Sequence, residues 1–336
     1  MHIAVVHNAI SPESTADEQD VLVQADAVEA ALRQCGHDTR RLACDLNLAD
    51  VRQDLSEDPP DLVFNLVESL AGTGRLLHLF PGVLDALRIP YTGASAEALF
   101  LTSNKILAKG WLAAANMPTP AWAGPCDGRR VCDVPQTLLR PERWIIKSVW
   151  EHASIGLDAN AFLDGTLTER LPALLAQRAP LLGGTCFAEA FIEGREFNLS
   201  LLEDADGPRV LPPAEIVFEG FDENQPRIVD YRAKWDENAF EYHHTPRRFD
   251  FDPADKSLLD HLKTLALQCW HLFGISGYAR VDFRVDAHNR PWILEVNANP
   301  CLSPDAGFAA AAAQAGMAYP QVIACIVQAC SRRGVL

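Results

Sequence analysis

The chain has 336 residues, 48% of them hydrophobic and 22% charged, with a formal net charge of −16. That composition fits a globular protein with two or three cored domains. It argues against a general binder of nucleic acid or anionic membrane, and no stretch approaches the ~20 apolar residues of a membrane helix.

The N-terminus, MHIAVVHNAI, lacks a basic leader and reads directly as a strand, so no signal peptide is expected. The nine cysteines are odd in number and scattered. Neither Cys126/Cys132 nor Cys325/Cys330 has zinc-ligand spacing, and reduced thiols in a cytoplasm are the expectation.

Residues 2–7 form an apolar strand. A helix is predicted over 17–35, with Val21, Ala25, Val28 and Leu32 at helical spacing and Gly36 as its stop. A second strand begins near Thr39 and a third covers 61–67. A glycine-containing loop and a helix over 75–88 follow. This strand–helix alternation predicts a parallel, Rossmann-like unit over about 1–95. Ile89-Pro-Tyr-Thr-Gly is a turn, 104–115 is helical, and Met117-Pro-Thr-Pro breaks that helix. A mixed segment with the strand Trp144-Ile-Ile-Lys147 runs to about 188. The remainder carries several strands and a C-terminal helix, with the alanine run at 309–313 in helical context.

The strongest constellation lies late in the chain. Gly277-Tyr-Ala-Arg-Val-Asp-Phe-Arg-Val-Asp alternates with period two, which puts Arg280 and Asp282 on one face and Val281 and Phe283 on the other. After a turn at 286–290, Pro291-Trp-Ile-Leu-Glu-Val-Asn puts Glu295 and Asn297 on one face, with Leu294 and Val296 opposite. A hairpin of this kind gathers two carboxylates, an amide oxygen and a guanidinium. Hard oxygen ligands suit Mg²⁺ bridging nucleotide phosphates. An edge hairpin with solvated charges is the bland alternative.

Gly-Tyr-Ala-Arg-Val-Asp at 277–282 with Ile-Leu-Glu-Val-Asn-Ala-Asn-Pro at 293–300 resembles the C-terminal signature of ATP-grasp enzymes, and of D-alanine–D-alanine ligases in particular. The resemblance extends over most of the chain: Ile89-Pro-Tyr-Thr-Gly, Lys105 before a helix, Trp144-Ile-Ile-Lys147, Glu189-Ala-Phe-Ile-Glu-Gly-Arg-Glu196, Tyr231-Arg-Ala-Lys234 and Gln314-Ala-Gly-Met follow in the family's order. It implies an α/β, ATP-grasp fold in three parts. These are an N-terminal Rossmann-like substrate domain (1–100), a small central lid (101–188) and a C-terminal α+β catalytic domain (189–336).

The resemblance also implies ATP and two Mg²⁺ ions, with Mn²⁺ able to substitute, held by Asp282, Glu295 and Asn297. Lys105, Lys147 and a loop Lys234 would reach the phosphates, under the loop Glu151-His-Ala-Ser-Ile-Gly156, where backbone N–H groups near Ser154 and Gly156 cradle an anion. Residues 189–192, from Glu189 to Ile192, would read adenine through backbone groups, and Glu196 would hold the ribose; a surface salt bridge is its alternative. Arg280 would stabilise the oxyanion when an amine attacks an acyl phosphate. The partners implied are small carboxylates and amines, and the family suggests a homodimer.

At the substrate end the resemblance is looser. Glu13, in competition with Glu18, and Glu68 are candidates for the donor's ammonium group. Three departures stand out. The family has glycine where this chain has Cys301, and a Ser-Leu pair for the acceptor carboxylate where this chain has Asp305-Ala306-Gly307. Its loop-tethering Ser and Tyr are Ala153 and Trp235 here. Asp305 would repel an acceptor carboxylate in a desolvated site, so a ligase with a non-D-alanine acceptor is the expectation; Asp305 as a helix N-cap is the alternative. A true D-alanine–D-alanine ligase and a non-catalytic ATP-binding protein are the rivals. Whether amine, hydroxyl or thiol attacks stays open. His243 and His244 are read as strand neighbours that face apart and share no metal.

Overall fold

A computed structural model of the chain describes residues 1–125, 143–151, 154–164, 171–222 and 225–332; Cys126, Cys132 and Ala153 lie outside these. Three sheets organise it.

The first sheet is built from β1 (His2–Asn8), α1 (Ala16–Gln34), β2 (Asp38–Cys44), α2 (Leu48–Glu57) and β3 (Leu62–Leu66), parallel and in the order β2-β1-β3. Helix α1 starts at a Thr15–Glu18 capping box. It buries Val21, Ala25, Val28 and Leu32, as their spacing requires. Helix α2 was not foreseen: its polar residues mask the buried pair Val51 and Leu55.

The helix expected over 75–88 is divided into a 3₁₀ turn, Gly74–Leu76, and α3 (Leu79–Leu87), which ends at Arg88 with φ 55°. The cause is tertiary. The Glu151 carboxylate accepts from Thr73 Oγ1 at 2.7 Å and Gly74 N at 3.1 Å, which fixes that backbone as a turn. The next helical segment begins earlier than expected, with α4 (Ala96–Ser103); Asn104 then caps α5 (Lys105–Ala114) by accepting from Ile106 N and Leu107 N.

The second sheet comprises β4 (Trp122–Ala123), β5 (Arg143–Ser148), β6 (Phe162–Asp164) and, after α6 (Leu171–Arg178), β7 (Cys186–Ala190). Its order is β4-β7-β5-β6, antiparallel throughout. The third sheet holds β8 (Arg195–Asp204), β9 (Gly207–Val210), β10 (Ala214–Ile216), β11 (Arg247–Arg248), β12 (Tyr278–Val285) and β13 (Pro291–Asn297). It runs β11-β10-β8-β12-β13, with β9 also on β8. Short helices α7 (Tyr231–Trp235) and α8 (Phe240–His243) lie between β10 and β11 in the chain. His243 therefore ends a helix and His244 follows it, contrary to the strand expected there.

Helix α9 (Lys256–Leu272) packs Leu262, Leu265, Ala266 and Cys269 into one core with Leu199, Val281, Phe283 and Val296. Two helices close the chain: α10 (Gly307–Gln314), which carries the alanine run, and α11 (Tyr319–Arg332). They do not pack only within the third sheet. Ile3, Val5 and Phe64 of the first sheet share a core with Leu202, Tyr278, Phe308 and Ile323, so the two ends of the chain are joined by apolar burial.

Candidate active site

A cleft of about 710 Å³ lies where the three sheets meet. Its floor is the β12–β13 pair. Arg280 faces Asn297 and Asp282 faces Glu295 across it. The Arg280 guanidinium forks onto Asp282, with Nε to Oδ1 at 2.7 Å and Nη2 to Oδ2 at 2.9 Å, and Asn198 Nδ2 donates to the same Oδ1 at 2.8 Å. All four of the sequence-predicted residues line the cleft.

The expected alternation fails at one position. The register shifts after Asp282: Phe283 faces Ile293, so Leu294 is an extra, bulged residue. Ile293 takes the core position, fully buried beside Val296, and Leu294 is turned into the cleft wall. The sequence reading placed Leu294 in the core because strict alternation carries no sign of a bulge.

Lys147 leaves β5 toward the cleft and meets Glu189 Oε1 at 2.5 Å. Glu189 also pairs with Lys109, Nζ to Oε2 at 2.6 Å, and both of those side chains are 1% exposed. Burial pushes the Glu189 carboxyl up, but Lys109 and Lys147 together hold it below its ordinary value. Burial lowers Lys109 to about 8 against the pull of Glu189. Sequence reasoning missed Lys109. A signal existed, since it is a lysine four residues after Lys105 in an otherwise apolar helix.

The segment after Glu189 lines the cleft through Ala190, Phe191 and Ile192. Ala190 N and Phe191 N already donate to the Ala121 and Arg143 carbonyls. Glu196 is not a surface salt bridge. It pairs with the buried Arg284 at 3.0 Å; burial raises its carboxyl pKa, with Arg284 opposing.

Lys234 belongs to the short helix α7, capped by Asp230, rather than to a loop. Burial lowers its pKa, and neighbouring Arg280 lowers it further against Glu295, Asp282 and Glu196. The helix is tied to the first sheet's α1 by Tyr231 Oη donating to Asp17 Oδ1 at 2.9 Å. Trp235 lines the cleft. Ser154 has φ 62° and donates its hydroxyl to Val229 O at 2.8 Å, which ties its loop to the chain before α7. Gly156 has φ 70°, and a methyl there would meet Leu182 Cδ2 at 2.3 Å, so only glycine fits. Gly156 itself is not in the cleft wall.

Two expectations are corrected. Lys105 does not line the cleft: its ammonium donates to Glu151 O at 2.8 Å beneath the loop, and the side chain is buried. Glu13 is exposed in a turn outside the cleft, while Glu18, Asp17, Asp20 and Glu68 line it. Burial pushes the Glu68 carboxyl up to about 7, against a 2.7 Å hydrogen bond from Gln24 Nε2.

Cys301 also lies in the wall. Its thiol donates to Asp20 Oδ2 at 3.1 Å, and burial pushes it well above its ordinary value. Asp305 lines the cleft but is exposed, and it caps nothing: the N-cap of α10 is Ala306, with no side-chain cap bond. The desolvation on which strong repulsion depends is therefore absent at Asp305.

Two facing carboxylates and an amide oxygen form a hard-oxygen donor set of the kind Mg²⁺ takes. Lys147 of the second sheet and Lys234 of helix α7 line the same cleft. The arrangement can neutralise a polyphosphate beside a carboxylate-rich pocket.

Comparison with known proteins gives a consistent relationship. The family profile described as D-ala D-ala ligase C-terminus matches residues 144–328. A D-alanine–D-alanine ligase of Moorella thermoacetica is 30% identical over 333 residues, covering 97% of this chain and 98% of the relative. One from Bordetella avium is 28% identical over 315 residues, covering 93% and 90%. An uncharacterized protein, y4sG, of Sinorhizobium fredii is 29% identical over 320 residues, covering 92% and 88%. Among solved structures, the D-alanine–D-alanine ligase of Bacillus anthracis complexed with ATP aligns over 99% of this chain and 98% of its own, with a TM-score of 0.70 and 20% identity.

Proposed function

Because the chain belongs to the D-alanine–D-alanine ligase family of ATP-grasp enzymes, we propose that it joins two small amino acids by an ATP-dependent, ADP-forming reaction, with D-alanine as the first substrate to test on both sides. The names of its relatives favour D-alanine. The observation that carries the reading is the facing pair Asp282 and Glu295, with Arg280 forked on Asp282, on the cleft floor.

The donor carboxylate oxygen attacks the γ-phosphorus and ADP leaves. The acceptor nitrogen then attacks the acyl carbon, phosphate departs with the broken C–O bond, and the nitrogen gives up its proton. Asp282, Glu295 and Asn297 would hold Mg²⁺, which when bound offsets charge on the transferring phosphoryl group. Lys147 and Lys234 reach toward the phosphates, and Arg280 faces the developing oxyanion. Glu68 and Glu18 would meet the donor's ammonium group in preference to Glu13, a reading supported by their lining the cleft.

A second reading, a ligase for a different acceptor, is favoured by one observation. Asp305, Ala306 and Gly307 stand where the resemblance expects a Ser-Leu pair, and Cys301 lies beside them in the cleft. One experiment tests both: ADP release with Mg²⁺ and ATP over D-amino acids, alone and in pairs, with products identified by mass. D-alanyl-D-alanine as the main product supports the first reading. A mixed product only, with no D-alanine dimer, supports the second. No ADP release from any pair sinks the ligase assignment.

A further inference from the structure

Strand β11 is two residues long, and its arginines face opposite ways, as alternation along a strand demands. Arg248 is spoken for: it pairs with Glu215, which also pairs with Arg195, itself joined to Asp255 at 2.6 Å. Arg247 differs. It lines the catalytic cleft, and among the described residues no carboxylate lies within ion-pair distance of it. Its one hydrogen bond to the described chain is a long one, Nη1 to the Asp305 carbonyl at 3.3 Å.

Gly307 leaves the space beside the guanidinium open. A methyl at Gly307 would meet Arg247 Nε at 3.2 Å and Cζ and Nη2 at 3.8 Å. A longer side chain, such as the leucine of the family's Ser-Leu pair, would compete for the same space. The departure at Asp305-Ala306-Gly307 and Arg247 thus lie side by side in the cleft. The Asp305-Ala306-Gly307 segment itself offers no hydroxyl, and a guanidinium lies against it instead.

We infer that Arg247 is a specificity-determining residue that binds a carboxylate on the acceptor. A guanidinium presents parallel N–H donors that match a carboxylate bidentately. The other cleft cations each stand beside carboxylates: Arg280 is forked on Asp282, Lys147 meets Glu189, and Lys234 interacts with Glu295, Asp282 and Glu196. An acceptor anchored at Arg247 keeps its amine free to face the floor. Asp305, exposed beside Arg247, attracts the guanidinium and partly offsets the opposing effects of burial and Arg280, but it does not occupy the fork: only its carbonyl is hydrogen-bonded to the guanidinium, and its carboxylate faces solvent. The inference rests on the ligase reading, and it reverses the charge preference expected from Asp305 alone.

The test pairs acceptors that differ only in that group, such as D-alanine and D-alaninamide, with D-alanine as donor. The amide has no free carboxylate to activate, so it can act only as acceptor. The native chain is expected to prefer the carboxylate partner. Arg247→Ala should raise the acceptor KM and cut the carboxylate-over-amide preference by roughly 10-fold or more, the scale of a lost charged hydrogen bond. The KM for ATP should not move. Gly307→Leu, which displaces Arg247 without removing it, should cut the same preference, and Arg247→Lys should restore part of it. If the native chain makes product and Arg247→Ala keeps its preference, the inference falls and the ligase reading stands. If the native chain makes no product from any pair, the ligase reading falls and takes the inference with it.

Discussion

Lys109 Nζ and Glu189 Oε2 lie 2.6 Å apart, each on a side chain 1% exposed, and the other oxygen of that carboxylate holds Lys147 at 2.5 Å. One buried carboxylate thus bridges a lysine of the interior and a lysine of the cleft. Lys109 has further partners in Thr119 Oγ1 and Pro120 O, at 2.8 and 3.0 Å. Removing it leaves Glu189 with half its compensation. Lys109→Ala is expected to destabilise the fold by about 3–5 kcal/mol, the cost of breaking a buried pair from one side. Denaturant unfolding measures it, and a loss below about 1 kcal/mol would mean the pair is not structural.

Lys147 should behave differently. It is partly exposed and stands at the end of β5 in the cleft wall. Lys147→Ala is expected to weaken ATP binding more than it lowers the melting temperature. Nucleotide titration and thermal unfolding on the same preparation decide it: a large fall in melting temperature with unchanged nucleotide affinity would make the residue a core strut.

Glu295→Gln should abolish ADP release while leaving the protein folded. The substitution keeps the shape and removes one charge facing Asp282, where metal-assisted phosphoryl transfer needs it. Turnover within a few-fold of the native rate would remove Glu295 from the set of metal ligands.

Glu68 makes a pH prediction. Its carboxyl is pushed up to about 7 by burial, with Asp20 and Asp17 adding to the shift. A raised folded-state value means that the folded chain binds this proton more tightly than the unfolded chain does. The stability from that proton is complete below about pH 4.5, the ordinary value, and is lost as pH rises toward 7. Glu68→Gln should therefore raise the unfolding midpoint at pH 8 and change it little at pH 4.5. If Glu68 also holds the donor ammonium, the donor KM of the native chain should fall as pH rises through 7, and the variant should lose that dependence. Equal stability differences at both pH values would contradict the shift.

Asp305→Ser tests the helix-cap alternative. Since Ala306 is the N-cap and Asp305 is exposed, stability should stay within about 0.5 kcal/mol of the native value. A loss near 1 kcal/mol, the ordinary worth of a cap, would restore the capping role.

Several features could be read directly from residue order. Period-two spacing was enough to put Arg280 with Asp282, and Glu295 with Asn297, on faces of one hairpin. Helical spacing identified the buried stripe of α1. These are consequences of local backbone geometry, which repeats over two residues or 3.6. The family signature likewise lies in short runs whose order the chain preserves.

What the order of residues could not contain is which groups meet across the fold. The bulge that turns Leu294 into the cleft depends on the pairing of β13 with β12 slipping by one residue after Asp282. Lys105 is held beneath the loop because Glu151 O approaches from a distant segment. Glu13 and Glu18 look alike in sequence, yet only Glu18 reaches the cleft, because the capping box turns the chain between them. Burial and ion pairing are properties of the assembled interior, where solvent is excluded and distant charges become neighbours. The sequence determined the faces and their chemistry; the tertiary packing decided that Glu189 holds two lysines and that Arg247 lines the cleft with no described carboxylate within ion-pair distance.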